Sequence, residues 1–178
     1  VLPLVVWRYR NPVAIGNTKD GARQCRSILL VHAFAQSAIC FVEPTLRENL
    51  AEHLHREGWD VWLLEHRISI GLPSAHRSCS MDDIAQYDIP SAIRLCLQVI
   101  RDEGNLAADV HLQMYALAQC VGSAALGMAV LGGMLADDTA TAKQPPPKSA
   151  HMKIVARQPS LLAGVVFSQF TPYVIGAA

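Results

Sequence analysis

The sequence has 178 residues, the size of one domain or of a piece of a larger one, and 51% are hydrophobic against 17% charged. So much apolar surface excludes an intrinsically disordered chain. Lys plus Arg (15) and Asp plus Glu (15) cancel to a net charge of zero, so there is no basic field to hold phosphate backbones, and nucleic acid is not an expected partner.

In chain order, Leu4-Val5-Val6-Trp7-Arg8-Tyr9 reads as an edge strand, and Ser27–His32, apolar on both faces, as a fully buried one. A small polar turn, Ala35-Gln36-Ser37, precedes a helix with Leu46, Leu50 and Leu54 on one stripe and Gly58 as its C′ residue. Trp59–Leu64 is the next strand, and the strand–helix–strand unit fits a parallel crossover. Ser80-Met81-Asp82-Asp83 resembles a capping box, and Pro90 falls in the first turn after Asp88, where a missing N–H costs little. Ile89, Ala92, Ile93, Cys96 and Ile100 then share one helical face. A third strand is predicted over Val110–Tyr115 and a buried helix over Val121–Leu135. Residues 136–150 form a polar, proline-rich loop, and Leu162–Ser168 reads as a fourth core strand. Strands alternating with helices predict an α/β fold with a largely parallel sheet, residues 1–178 forming one domain.

Two class decisions follow. Five cysteines (Cys25, Cys40, Cys79, Cys96, Cys120), an odd number with no C-x-x-C, argue against a disulfide framework or a structural zinc site and favour a reducing, cytoplasmic setting. From Leu112 to Ala136 no residue is charged, yet Gln113, Gln119, Ser123 and four glycines interrupt the run. A buried strand followed by a buried helix is therefore expected rather than a membrane span.

Chemistry concentrates in Tyr115-Ala116-Leu117-Ala118-Gln119-Cys120-Val121-Gly122-Ser123. A strand ends, a potential nucleophile appears between small residues, and a helix begins at once. This is the layout of a nucleophile elbow, G-x-S-x-G, with Cys120 for Ser and Ala118 for the first Gly. The positive end of a helix favours a thiolate there. The elbow alone fits a buried packing cysteine equally well. The loop after His32 adds weight, since in an elbow fold its N–H, at Phe34, would meet the N–H of Val121 as the two oxyanion donors. His32 itself reads as a histidine bonded to neighbouring backbone.

His32-Ala33-Phe34-Ala35-Gln36-Ser37, Gly58-Trp59-Asp60-Val61-Trp62-Leu63-Leu64, Asp82-Asp83-Ile84-Ala85-Gln86-Tyr87-Asp88-Ile89-Pro90 and Gln119-Cys120-Val121-Gly122 together resemble the α/β-hydrolase superfamily, over roughly Val5 to Ile175. More narrowly they are similar to the hydrolase-type domain fused to cholesterol-oxidase-like glucose-methanol-choline oxidoreductases, which typically reads V-H-G-F-A-Q-S, D-V-W-L-L-D-Y-R, Y-D-x-P-A-A and H-C-V-G. The third block is similar also to acid lipases, and the cysteine elbow to polyhydroxyalkanoate synthases. The resemblance implies a partial α/β-hydrolase fold acting on esters or thioesters, with Cys120 as nucleophile and the Phe34 and Val121 amides as oxyanion donors. Ala33, Ala118 and Gln119 stand where the family has Gly, Gly and often His. The implied partners are an apolar acyl or sterol-like small molecule and a flavin oxidoreductase domain. Any FAD would belong to that separate domain, because no G-x-G-x-x-G occurs here, and neither a cofactor nor a metal is expected in this chain. A non-catalytic, hydrolase-like module accompanying such an oxidoreductase is the alternative.

The family's acid and histidine follow the nucleophile. After Cys120 the sequence offers only Asp137, Asp138 and His151, in or beside the proline-rich loop, where a surface linker is the expected reading. A truncated domain with its C-terminal strands missing is thus expected, and with it an exposed apolar sheet edge. Of the other histidines, His53 and His55 diverge on a helix and make a poor metal pair, and His66, His76 and His111 lack partners at ligand spacing. Glu65-His66-Arg67, at a strand end, could line the mouth of the site, but a solvated loop is the expected reading.

Overall fold

The structure is a computed structural model, and it describes residues 4–12, 15–17, 23–107, 110, 112–137 and 160–169. Its strands are β1 (Val5–Tyr9), β2 (Ile15–Asn17), β3 (Arg23–Cys25), β4 (Ser27–Val31), β5 (Asp60–Glu65), β6 (Met114–Gln119) and β7 (Leu162–Ser168). Its helices are α1 (Leu50–Arg56), α2 (Met81–Asp83), α3 (Ile89–Glu103) and α4 (Val121–Leu131). The five-stranded sheet has the order β1-β5-β4-β6-β7, parallel except for β1, and β2 and β3 form a separate antiparallel pair. The fold is α/β, a mostly parallel sheet with flanking helices.

Burial explains the central strands. Every residue of β4 and β5 is buried, as two-faced coverage of a parallel sheet requires. On one face Leu29, Val31, Trp62 and Leu64 pack with Ile89, Ile93 and Ile100 of α3 and with Leu126 of α4. On the other face Leu30, Val61 and Leu63 pack with Phe41 and Ala51. At the N-terminal end of β5, buried Asp60 accepts hydrogen bonds from Arg8, Ser27 and the Trp62 indole, which satisfies its charge.

Several elements depart from the sequence reading. The third strand lies at Met114–Gln119 rather than Val110–Tyr115, because the alanine-bearing run pairs in parallel with Ile28–Val31 and its buried side chains alternate. The first long helix starts at Leu50, with Asn49 and Glu52 as a capping box, and buries Ala51, while Leu46 is exposed outside it and Leu50 is exposed within it. The Leu46–Leu50–Leu54 stripe is therefore not the buried face. Gly58 does follow the helix with a positive φ of 86°. The Ser80–Asp83 capping box forms, but α2 passes through a π turn (Ile84–Asp88) before α3. The ring of Pro90 collides with the carbonyl one turn earlier in a regular helix, and the wider π turn relieves it, Ile89 N–H bonding to Ile84 O.

The helix after the elbow ends at Leu131 rather than Leu135, and Leu131 is exposed. Ala136, assigned to the proline-rich loop, instead bridges Ser160. Asp138 to Ala150, and His151, lie outside the described residues. β7 matches its predicted bounds, but its side chains past Leu162 are mostly exposed. No helix among the described residues is long and apolar enough to cross a membrane.

Candidate active site at the C-terminal edge of the sheet

Parallel strands deliver their C-terminal residues to one edge, where α/β proteins collect their sites. Here β4 ends in Val31-His32, β5 in Glu65-His66 and β6 in Gln119-Cys120, on adjacent strands.

Cys120 is the turn between β6 and α4. Its φ of 51° and ψ of −116° lie where a side chain is strained, and the residue is exposed. Exposure removes the buried packing cysteine as an account of this residue. Three neighbours hold the bend. The Cys120 N–H donates to Ser168 O at 2.9 Å. The Ser123 hydroxyl, fully buried, lies 2.6 Å from Ala118 O and 2.9 Å from Ser168 O, and shares its one proton between them. Gly122 is required by close approach, because a Cβ built there would sit 2.6 Å from His32 O and 2.9 Å from Val31 O. Ala118, where the elbow pattern has its first glycine, keeps its methyl buried in the helix-facing core. Only the second glycine is sterically demanded.

Val121 opens α4, so its N–H has no carbonyl one turn earlier to bond. Phe34 is exposed on the loop after β4, followed by Ala35 with a positive φ of 54°. The structure thus brings Cys120, Val121 and the Phe34 loop to one sheet edge. Phe34, Ile39 and Ile70 are 65%, 63% and 65% exposed, and the Ile70 N–H bonds to Gln36 O at 3.0 Å, which sets Ile70 beside that loop.

Behind the loop lies a buried polar cluster that the sequence reading missed. His32 and His66 stack with ring centroids 3.8 Å apart. His32 Nδ1 lies 2.8 Å from Ala33 O, as its reading as a backbone-bonded histidine expects. His66 Nε2 lies 3.2 Å from His32 O. Because carbonyls only accept, these two nitrogens are the protonated ones. Glu65 accepts from the Ala38 N–H at 3.1 Å and from the Ser69 hydroxyl, and its Oε2 stands 3.5 Å from His32 Nε2. Burial pushes His32 below the ordinary imidazole value, and burial together with the neighbouring His32 pushes His66 down to about 3. Both rings are neutral near neutral pH, so the His32–Glu65 contact is not an ion pair.

Glu65-His66-Arg67 is therefore not a solvated loop. Glu65 and His66 are buried, and Arg67 binds the buried carboxylate of Asp88 through its N–H at 2.9 Å and its guanidinium at 2.6 Å. The recoverable signal was a polar residue directly after an apolar run on two neighbouring strands.

The four other thiols lie above the ordinary cysteine value. Burial raises Cys25, Cys79 and Cys96, and burial with the nearby Glu65 raises Cys40 to about 11. Asp137 is buried rather than on a solvated linker. His53 faces Glu48, and His55 reaches Arg10 O. Among the described residues no cluster of three or more His, Cys, Asp or Glu is arranged to hold a metal ion.

No family model and no curated protein matches the sequence. Among solved structures, the chain is similar to the mature form of the lipase BlEst2 of Bacillus licheniformis, with a TM-score of 0.46 and 12% identity over 72% of this chain. The match covers 41% of that structure, so this chain spans about two fifths of its length.

Proposed function

We propose that this chain is part of an α/β-hydrolase-type domain that performs acyl transfer from esters or thioesters through Cys120. The supporting observation is the elbow: an exposed cysteine at positive φ, bent out of a parallel strand at the start of a helix. The sulfur lone pair would form a C–S bond to the substrate carbonyl while the π electrons move to oxygen, held by the Phe34 and Val121 amides. Collapse would re-form the carbonyl and break the bond to the alkoxide or thiolate leaving group, which takes up the proton lost from the thiol. Water or a second acceptor would then remove the acyl group. The exposed Phe34, Ile39 and Ile70 suit an apolar acyl chain. In this reading the base and acid come from outside the described residues, from strands of a longer domain.

The second reading, a non-catalytic module beside a flavin oxidoreductase, rests on the motif resemblance. One experiment separates the two. Incubation with p-nitrophenyl butyrate at about pH 9, where thiols ionise without a general base and p-nitrophenolate leaves without an acid, is expected to release one p-nitrophenolate per chain in a burst and to leave a butyryl group mapped by mass spectrometry to Cys120. Cys120→Ala should abolish both. Butyryl spread over all five cysteines, or no burst, would remove the acyl-transfer reading and leave the binding module.

A further inference from the structure

Four buried polar residues near the elbow have no step in that scheme, His32, Glu65, His66 and Ser69. Ala33 O and the Phe34 N–H belong to one planar trans peptide, so they point in opposite directions. Whatever holds Ala33 O also aims the Phe34 N–H. The holder is the His32 ring, through the 2.8 Å bond from Nδ1. The ring is itself stacked at 3.8 Å on His66, while its Nε2, left without a proton, faces Glu65 Oε2 at 3.5 Å with no hydrogen bond. The His32 carbonyl accepts from His66 and is the atom against which Gly122 packs. One residue thereby touches both halves of the site.

We infer that His32 is a positioning residue: held by its stack on His66 and by the His66 Nε2–H bond to its carbonyl, it orients the Ala33–Phe34 peptide so that the Phe34 amide faces the acyl oxyanion formed at Cys120. This rests on the acyl-transfer reading of Cys120. The burial that keeps the ring neutral also leaves a single ring proton, and the carbonyl of Ala33 claims it.

Two reactions of the Cys120 thiol in the full chain separate positioning from packing. Acylation by p-nitrophenyl butyrate passes through an oxyanion, whereas alkylation by iodoacetamide is a displacement at carbon that forms none. Removing an oxyanion donor costs a factor of about 100 to 1,000, so a misdirected one should cost at least about tenfold. In His32→Leu, acylation of Cys120 is expected to slow by that factor while the alkylation rate is retained. His32→Asn, whose amide nitrogen can replace Nδ1 as donor to Ala33 O, should recover most of the acylation rate. An unchanged acylation rate in folded His32→Leu, or equal slowing of both reactions, overturns the inference. Wild-type protein that alkylates at Cys120 and never acylates overturns the nucleophile reading beneath it. If His32→Leu does not fold, His66→Leu, which removes the stack and the bond to the His32 carbonyl, carries the comparison: slower acylation with unchanged alkylation supports the positioning role, and unchanged acylation overturns it.

Discussion

At Cys120 the backbone occupies φ 51° and ψ −116° with a side chain attached, a conformation that only glycine adopts without strain. Such strain costs about 1–3 kcal/mol, and glycine's extra freedom in the unfolded chain returns about 0.5–1 kcal/mol of that. Cys120→Gly is therefore expected to raise stability by about 1 kcal/mol, a Tm increase of about 2–4 °C for a chain of this size. Cys120→Ala, which keeps the Cβ, should show no such gain. Calorimetry on the two variants tests this independently of any activity, and equal melting temperatures would show that the elbow stores no strain. The small residue at position 122 was legible from the elbow pattern, but not what demands it: a Cβ there would meet His32 O at 2.6 Å and Val31 O at 2.9 Å, carbonyls of the neighbouring strand's end rather than Ala118. Ser123 was not legible. A serine after a glycine carries no mark that its hydroxyl reaches back to Ala118 O and across to Ser168 O.

Elements near the site are anchored by pairs far apart in sequence, which local patterns do not reveal. Arg67, just past β5, and Asp88, the last residue of the π turn, form a paired, hydrogen-bonded contact with Asp88 almost fully buried. The pair ties the segment after His66 to the start of α3. Breaking a buried pair from one side leaves the other charge stranded. Asp88→Ala is expected to destabilise the fold by about 3 kcal/mol, read as a lower urea midpoint with an unchanged slope. A loss within about 0.5 kcal/mol, the range of ordinary surface substitutions, would show that water replaces the carboxylate without cost. The same distance from local pattern explains the errors of register. The alanines and leucine of residues 116–118 carry little strand propensity, so the predicted strand stopped at Tyr115, and pairing with β4 and β7 sets the observed bounds. In Asn49–Glu52 the capping signal was present in the sequence, but the leucine stripe drew the reading one turn too early.

For the whole molecule, alternation of apolar runs and helical segments was enough to read an α/β sheet, while the strand order β1-β5-β4-β6-β7 depends on crossovers that no single segment encodes. That order puts β4 and β5 side by side, so two imidazoles become buried together at the sheet edge. The pairing has a consequence for acid stability. Histidine in the unfolded chain takes up a proton near pH 6.5, whereas His66 folded does so only at about 3, and His32 is also held below its ordinary value. Above pH 6.5 neither state is protonated at these rings and their burial costs nothing in pH-linked terms. As pH falls below 6.5 the unfolded state binds protons that the folded state refuses, so stability declines toward the folded values, by up to about 1.4 kcal/mol per pH unit for His66, with His32 adding in the same direction. The window between pH 6.5 and about 5 isolates this effect, because carboxylates titrate mainly below it. Urea unfolding across that window is expected to show a falling midpoint, and His66→Phe, which keeps an aromatic ring in the stack without a titrating nitrogen, should make the slope shallower. A midpoint that stays level from pH 6.5 to 5 would mean that the paired rings accept a proton in the folded protein as readily as in the unfolded chain.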